Sequence, residues 1–168
     1  MYNFDKLVDR KGTYCIKWDL NEKVYGSADV IPLWIADMDF ETLPELNAAM
    51  VERSQHPSFG YTIPAPEYRE NIIKWNKERN GLELQKEDIV AIPGVVTAIA
   101  FALNALTKDG DKVLINTPVY NPFADTIKGL NRELVTSSLK CEGTKRVMDF
   151  DDMEAKMKDG VKMMILCN

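Results

Sequence analysis

The chain has 168 residues, 45% of them hydrophobic and 28% charged, a balance that excludes a disordered tail or a fibrous repeat. A folded chain of this size buries about 70% of the surface it exposes when unfolded, so one domain without disulfides or structural metal is the default. Lys and Arg number 21 against 26 Asp and Glu, a net charge of −5 with no basic stripe, which argues against a nucleic-acid partner.

Cys15, Cys141 and Cys167 are odd in number and scattered, with no CxxC pairing, so neither a disulfide framework nor a zinc site is indicated. The N-terminus lacks a basic stretch followed by an apolar one, and a cytoplasmic protein is expected. Ile89 to Thr107 carries no charge, but Pro93-Gly94 interrupts it. The remainder is too short to span a bilayer, so no membrane association is expected.

Residues 1–41 lack the periodicity of a long helix and read as an N-terminal arm and substrate-side segment. Thr42-Leu43-Pro44-Glu45 has the form of a capping box, with a helix predicted from there to about Arg53. His56 to Pro66 is loop chemistry around Phe59-Gly60-Tyr61. Pro66 opens a second helix, with Tyr68, Ile72 and Trp75 on one face and Asn80-Gly81 as its stop.

Beyond Gly81, short β-rich runs alternate with helical ones, the pattern of a parallel α/β sheet. Ile89–Ile92 is a predicted strand, Val95–Leu106 a helix and Lys112–Ile115 a strand. Phe123, Ile127 and Leu130 mark the next helix, followed by a strand at Arg132–Val135. A helix at Phe150–Lys158 and a strand at Val161–Cys167 complete the reading. No crossover helix follows that last strand, so a chain truncated at its C-terminus is expected.

Three predicted strand ends share one mouth: Ile92 to Thr97, Asn116 to Tyr120, and Cys167-Asn168. At the first, Gly94 permits a sharp turn, and the N–H groups of Val95, Val96 and Thr97 open a helix. They suit a phosphate, although a plain strand-to-helix turn uses the same residues. Tyr120 sits where its ring can cover a flat ligand or join the core. Asp37 and Asp39, two apart, face the same way in an extended segment, either as a metal pair or as solvated or capping aspartates. His56, the one histidine, has no partner for base catalysis in its surroundings and reads as a surface residue. No GxGxxG, GxxxxGK[ST] or GxSxG string is present.

Several strings nevertheless stand in a familiar order: Pro32-Leu33-Trp34-Ile35-Ala36-Asp37-Met38-Asp39-Phe40, Gly60-Tyr61-Thr62, Pro93-Gly94-Val95-Val96-Thr97-Ala98-Ile99, Val113 through Phe123, and Leu166-Cys167-Asn168. Across its whole length the chain resembles the fold-type I pyridoxal-phosphate enzymes, and within them the MalY/PatB-type cystathionine β-lyases. The resemblance implies an α/β fold: the arm 1–41, then residues 42–168 as the first part of the cofactor-binding large domain, a mostly parallel sheet flanked by helices. It implies pyridoxal 5'-phosphate as cofactor, a small amino-acid thioether as substrate, and a homodimer with a shared active site.

Carried over by position, Val95 and Val96 would grip the cofactor phosphate, Tyr120 would stack on the pyridine ring, and Tyr61 would reach the neighbouring subunit's phosphate. Ala36 would border the substrate carboxylate. A hydroxyl residue common in the superfamily is replaced here by Val96, with Thr97 one position later. No lysine occupies the Schiff-base motif, so that residue is expected beyond position 168 and the chain alone is expected to be inactive. The alternatives are an aminotransferase of the same fold, a non-catalytic regulatory or binding protein of this fold, and a generic doubly wound domain that binds some other phosphate.

Overall fold

Val113, Leu114 and Ile115 are almost wholly inaccessible to solvent, and a run buried on both faces has to be the middle strand of a covered sheet. The computed structural model describes residues 2–167, in two compact units, Met1–Pro64 and Ala65–Asn168. Asn168, which closes the Leu166-Cys167-Asn168 string, lies outside the described residues.

The second unit opens with α4 (Pro66–Asn80), preceded in the first unit by α1 (Ile16–Asp19), α2 (Asn21–Tyr25) and α3 (Pro44–Ser54). Pro66 starts α4 and Gly81, at φ +65°, ends it, with the N–H groups of Gly81 and Leu82 returning to the carbonyls of Lys77 and Asn76. Tyr68 and Trp75 are exposed; only Ile72, Ile73 and Asn76 are half-covered, so the apolar face is narrower than the spacing predicts. There follow α5 (Val95–Leu106), β1 (Lys112–Thr117), α6 (Asn121–Gly129), β2 (Glu133–Ser138), β3 (Lys140–Glu142), β4 (Lys145–Val147), α7 (Phe150–Lys158) and β5 (Val161–Ile165).

The main sheet has the order β2-β1-β5, with both pairings parallel. Alternation along β1 divides the core. Val113 and Ile115 join Leu103 of α5, Phe123 and Ile127 of α6, and Ile165 of β5 on one face. Asn116 is buried on the opposite face, where its amide touches Met153 of α7. The connection through α6 leads from β1 to β2, whereas the one through α7 crosses to β5 on the other side of β1. Right-handed crossovers in opposite directions place their helices on opposite faces, which is the arrangement found. The α/β class, a parallel sheet flanked by helices, is therefore realised.

Arg132, just before β2, closes the lower end of α5. Its guanidinium donates to the carbonyls of Leu103 (3.3 Å) and Thr107 (2.8 Å) and to the Thr107 hydroxyl (3.0 Å), adding a cation to the carbonyl end of the helix, where the Leu103 carbonyl also accepts the Thr107 N–H.

Three sequence expectations are corrected. Ile89–Ile92 is not a strand: it follows a 3-10 turn at Lys86–Asp88, and none of the described strands pairs with it. Extended propensity needs a ladder partner before it becomes a strand. The capping box at Thr42 does not form, because Pro44 occupies the first turn and makes Leu43 the cap, leaving Thr42 one position too early. Glu45 instead accepts from the Tyr2 hydroxyl at 3.2 Å. The β3–β4 hairpin, turning at Gly143-Thr144, is an element the helix-and-strand alternation did not predict. No helix among the described residues is long and apolar enough to cross a membrane.

In the first unit, the described buried polar and charged side chains are Lys17 and Asn21, and none of the large apolar residues forming the described core belongs to it. Short helices α1 and α2 lead through Gly26 into an extended stretch that ends at α3.

Candidate functional site

The start of α5 is built for an anion. Gly94 precedes it at φ +95° and ψ 143°, a backbone region essentially closed to residues with a side chain. An added Cβ would meet only the Thr97 hydroxyl at 4.0 Å, so the requirement for glycine comes from the backbone angle rather than from crowding. Val95, Val96 and Thr97 direct their N–H groups out of the helix start, and none finds an acceptor among the described residues. Ala98 is the first to donate inward, to the Gly94 carbonyl at 3.1 Å. The helix dipole adds positive potential at this end, while α5 has no acidic residue in its first turn to neutralise it.

Topology brings Tyr120 to the same end. The chain leaves β1 through a cis Thr117–Pro118 bond and turns into α6 at Tyr120. Ile99, one turn into α5, and Val119 both pack on the core cluster, so Val95, Val96 and Tyr120 lie at the upper rim of one layer. Val95 is 70% exposed and Tyr120 59%, with the tyrosine ring set edge-to-face on Phe123 at 5.6 Å. Phe123 fixes the plane of the ring while leaving its open face to solvent. The crevice between β1 and β5 is the point where the connections diverge, and the carboxyl ends of strands at such a point are where open α/β sheets bind ligands.

Asn116, near the end of β1, was not singled out by the sequence. It is buried, and its Oδ1 has no hydrogen-bond partner among the described residues. Its signal was its place in an otherwise apolar strand, where an amide is costly unless bonded.

Ala36 and Tyr61 belong to the first unit. Tyr61 is fully exposed in the loop after α3, and His56 of the same loop is exposed, its Nδ1 pairing with the Ser58 carbonyl at 2.8 Å. Ala36 is exposed in an extended segment. Asp37 and Asp39 do face the same way, but they are neither a metal pair nor solvated caps. Arg10 donates to Asp37 Oδ1 and Oδ2 at 3.1 and 2.8 Å and to Asp39 Oδ1 at 2.7 Å. Lys17 donates to Asp39 Oδ2 at 2.6 Å and to the Asp37 carbonyl at 2.9 Å, and the Trp18 indole to Asp39 Oδ1 at 2.8 Å.

Two cations thus balance two anions, and buried Lys17 is compensated. Lys17, then Trp18 and Arg10, hold the Asp39 carboxyl far below the usual carboxylate range; Arg10, and after it Lys17, lower that of Asp37. Reciprocally, Asp37 raises Arg10 and Asp39 raises Lys17. Sequence reasoning missed both cations, because they stand 20 or more positions from the aspartates with no fixed spacing.

With this geometry in hand, comparison with known proteins places the chain. Residues 28–168 match the family described as aminotransferase class I and II. Cystathionine beta-lyase PatB of Bacillus subtilis (strain 168) is 38% identical over 99% of this chain and 43% of its own length. A pyridoxal-phosphate-bound protein of Clostridium difficile 630, assigned by name to the aminotransferases, superposes with a TM-score of 0.92 at 41% identity, covering all of this chain and 43% of that one. The pyridoxal-phosphate-bound C-S lyase of Staphylococcus hominis superposes at 0.86 with 29% identity, over 99% and 42% of the two chains. The chain spans less than half the length of these relatives. By sequence and by fold, it belongs to the aminotransferase class I and II family.

Proposed function

We propose that this chain is the N-terminal part of a pyridoxal-phosphate-dependent C–S β-lyase that cleaves cystathionine or a cysteine-type thioether to thiol, pyruvate and ammonia. The observation that carries the reading is the start of α5, three N–H groups without a partner among the described residues after a glycine at φ +95°, beside an exposed tyrosine ring. The names of its relatives, PatB and the Staphylococcus hominis lyase, support the reaction.

The residues fit the cofactor. Val95 and Val96 bind the dianionic phosphate through backbone N–H groups at the positive end of α5, with the Thr97 hydroxyl close by. Tyr120 covers one face of the pyridine ring, and an electron-poor ring suits an electron-rich phenol face. When bound, the cofactor supplies a sink for the electron pair left by removal of the substrate's α-proton. Ala36 borders the substrate carboxylate, where a small side chain leaves room, and Tyr61 reaches the phosphate held by the neighbouring subunit of a homodimer. Residues 1–41 form the arm and substrate-side segment, and 42–168 the first part of the cofactor-binding domain. The lysine that bonds the cofactor is not among the residues of this chain, so residues 1–168 alone do not turn over. Three free cysteines suit a reducing cytoplasm.

The test is pyruvate and thiol release from cystathionine by the complete gene product, beside the 168-residue chain. Expected are a yellow protein bleached by borohydride, turnover by the complete protein and none by the chain alone. The name of the Clostridium difficile relative favours a second reading, an aminotransferase. Oxo-acid-dependent amino transfer without thiol release would establish that reading instead.

A further inference from the structure

From Ile35 to Phe40 exposure alternates residue by residue: Ile35, Asp37 and Asp39 are half-buried, whereas Ala36, Met38 and Phe40 are exposed. This is the period of an extended chain, whose successive side chains point to opposite sides. Yet the segment belongs to neither described sheet, so no ladder sets its register. A slip of one residue would exchange its two faces and turn Ala36 inward.

The register is held instead by the charge network. Asp37 and Asp39 are both drawn to one side by Arg10 and Lys17, and the same cations take the backbone carbonyls of Met38 (3.2 Å) and Asp37 (2.9 Å). Side chains and backbone are therefore held together, and Ala36 and Met38 are left on the outer side. Neither cation is free to do anything else. Lys17 is 5% exposed with both its acceptors supplied by this segment, and the other terminal nitrogen of Arg10 also meets the Cys15 sulfur at 3.0 Å.

We propose that Arg10 and Lys17 are positioning residues for substrate recognition: by anchoring Asp37 and Asp39 they fix which face of residues 35–40 meets the substrate, without themselves binding it. The proposal rests on Ala36 lying at the substrate, as argued above. It predicts an effect on substrate capture separate from cofactor binding, because Gly94, Val95, Val96 and Tyr120 belong to the other unit, and Tyr61, although in the same unit, is fully exposed rather than packed in the network.

The experiment compares Lys17→Met and Arg10→Lys with the unaltered complete gene product. It reads kcat and KM for cystathionine, pyridoxal-phosphate affinity, and amide hydrogen exchange across residues 35–40. Expected is a rise in KM of about tenfold for Lys17→Met and a smaller one for Arg10→Lys, which keeps the charge but loses the two-pronged geometry. The kcat should stay within about twofold, cofactor affinity should not change, and exchange should quicken at residues 35–40. Faster exchange with an unchanged KM would overturn the proposal and leave the network a purely structural role, as would a loss confined to cofactor affinity. If Lys17→Met does not fold, Arg10→Lys decides by the same criteria. If the unaltered protein takes up the cofactor but releases no thiol, the lyase reading fails by itself. Binding of L-cysteine, followed through the cofactor's absorbance, then decides the proposal: weaker binding in the variants sustains it, and equal or absent binding overturns it.

Discussion

The layer around β1 and the segment around Asp37 are held by different forces. In the first, Leu103, Val113, Leu114, Ile115 and Ile127 are essentially without solvent contact, and apolar burial provides the cohesion. In the second, the buried side chains include a lysine and an asparagine, while Ile31, Leu33 and Phe59 of the same unit remain exposed. The start of α5 thus stands on a layer held by a non-directional force that tolerates changes of pH. The segment around Ala36 stands on directional ion pairs that strong acid removes. On the function proposed above, the difference would place cofactor affinity and substrate affinity under separate control.

The largest expected effect tests the apolar side. Leu114→Ala removes a fully buried side chain from the middle strand and should cost about 2–5 kcal/mol in urea unfolding of the unit that contains β1. Hydrogen exchange at residues 35–40 should be unaffected; a parallel loss of protection there would break the separation. Gly94→Ala comes next. Its backbone angle is hostile to alanine, costing about 1–3 kcal/mol, and relaxation of the turn should weaken pyridoxal-phosphate binding by about tenfold or more in equilibrium titration. Unchanged affinity would remove the helix start from the site.

Acid should act on the other region. Asp37 and Asp39 have carboxyls held below their ordinary values, so their contribution is fully present above about pH 4 and is lost as pH falls through the folded values. Lys17 is raised, so its contribution is complete below about pH 10 and disappears as pH climbs through its folded value. Amide protection at residues 35–40 should therefore be flat between about pH 5 and 9 and fall below about pH 4, while protection in β1 persists. Simultaneous loss in both regions would contradict two independent sources of order. The smallest effect is expected for Thr42→Ala. A working capping box would cost about 1 kcal/mol, but with Leu43 as the cap the change should stay within about 0.5 kcal/mol in thermal unfolding.

Sequence and structure agree where the signal is local. The limits of α5 and α7 coincide with those read from the residues, Val95–Leu106 and Phe150–Lys158, because the Gly94 turn before α5, and the Asp149 cap and Asp159-Gly160 stop of α7, need no distant partner. They differ where a partner decides. Ile89–Ile92 has the composition of a strand and no described neighbour to pair with, and β5 ends at Ile165 rather than Cys167 because ladder bonds set its length. The β3–β4 hairpin went unpredicted because the three-residue strands beside Gly143-Thr144 are too short to show an alternation.

At the site, the helix start at Val95 and the same-side placement of Asp37 and Asp39 are legible in the residues alone. Both follow from backbone rules acting within a few residues: glycine's access to positive φ, and the twofold repeat of an extended chain. What those aspartates meet is settled only in the folded chain. Arg10 and Lys17 reach Asp37 and Asp39 across 20 to 29 positions, and a Coulombic partner is chosen by distance in space, on which sequence separation has no hold.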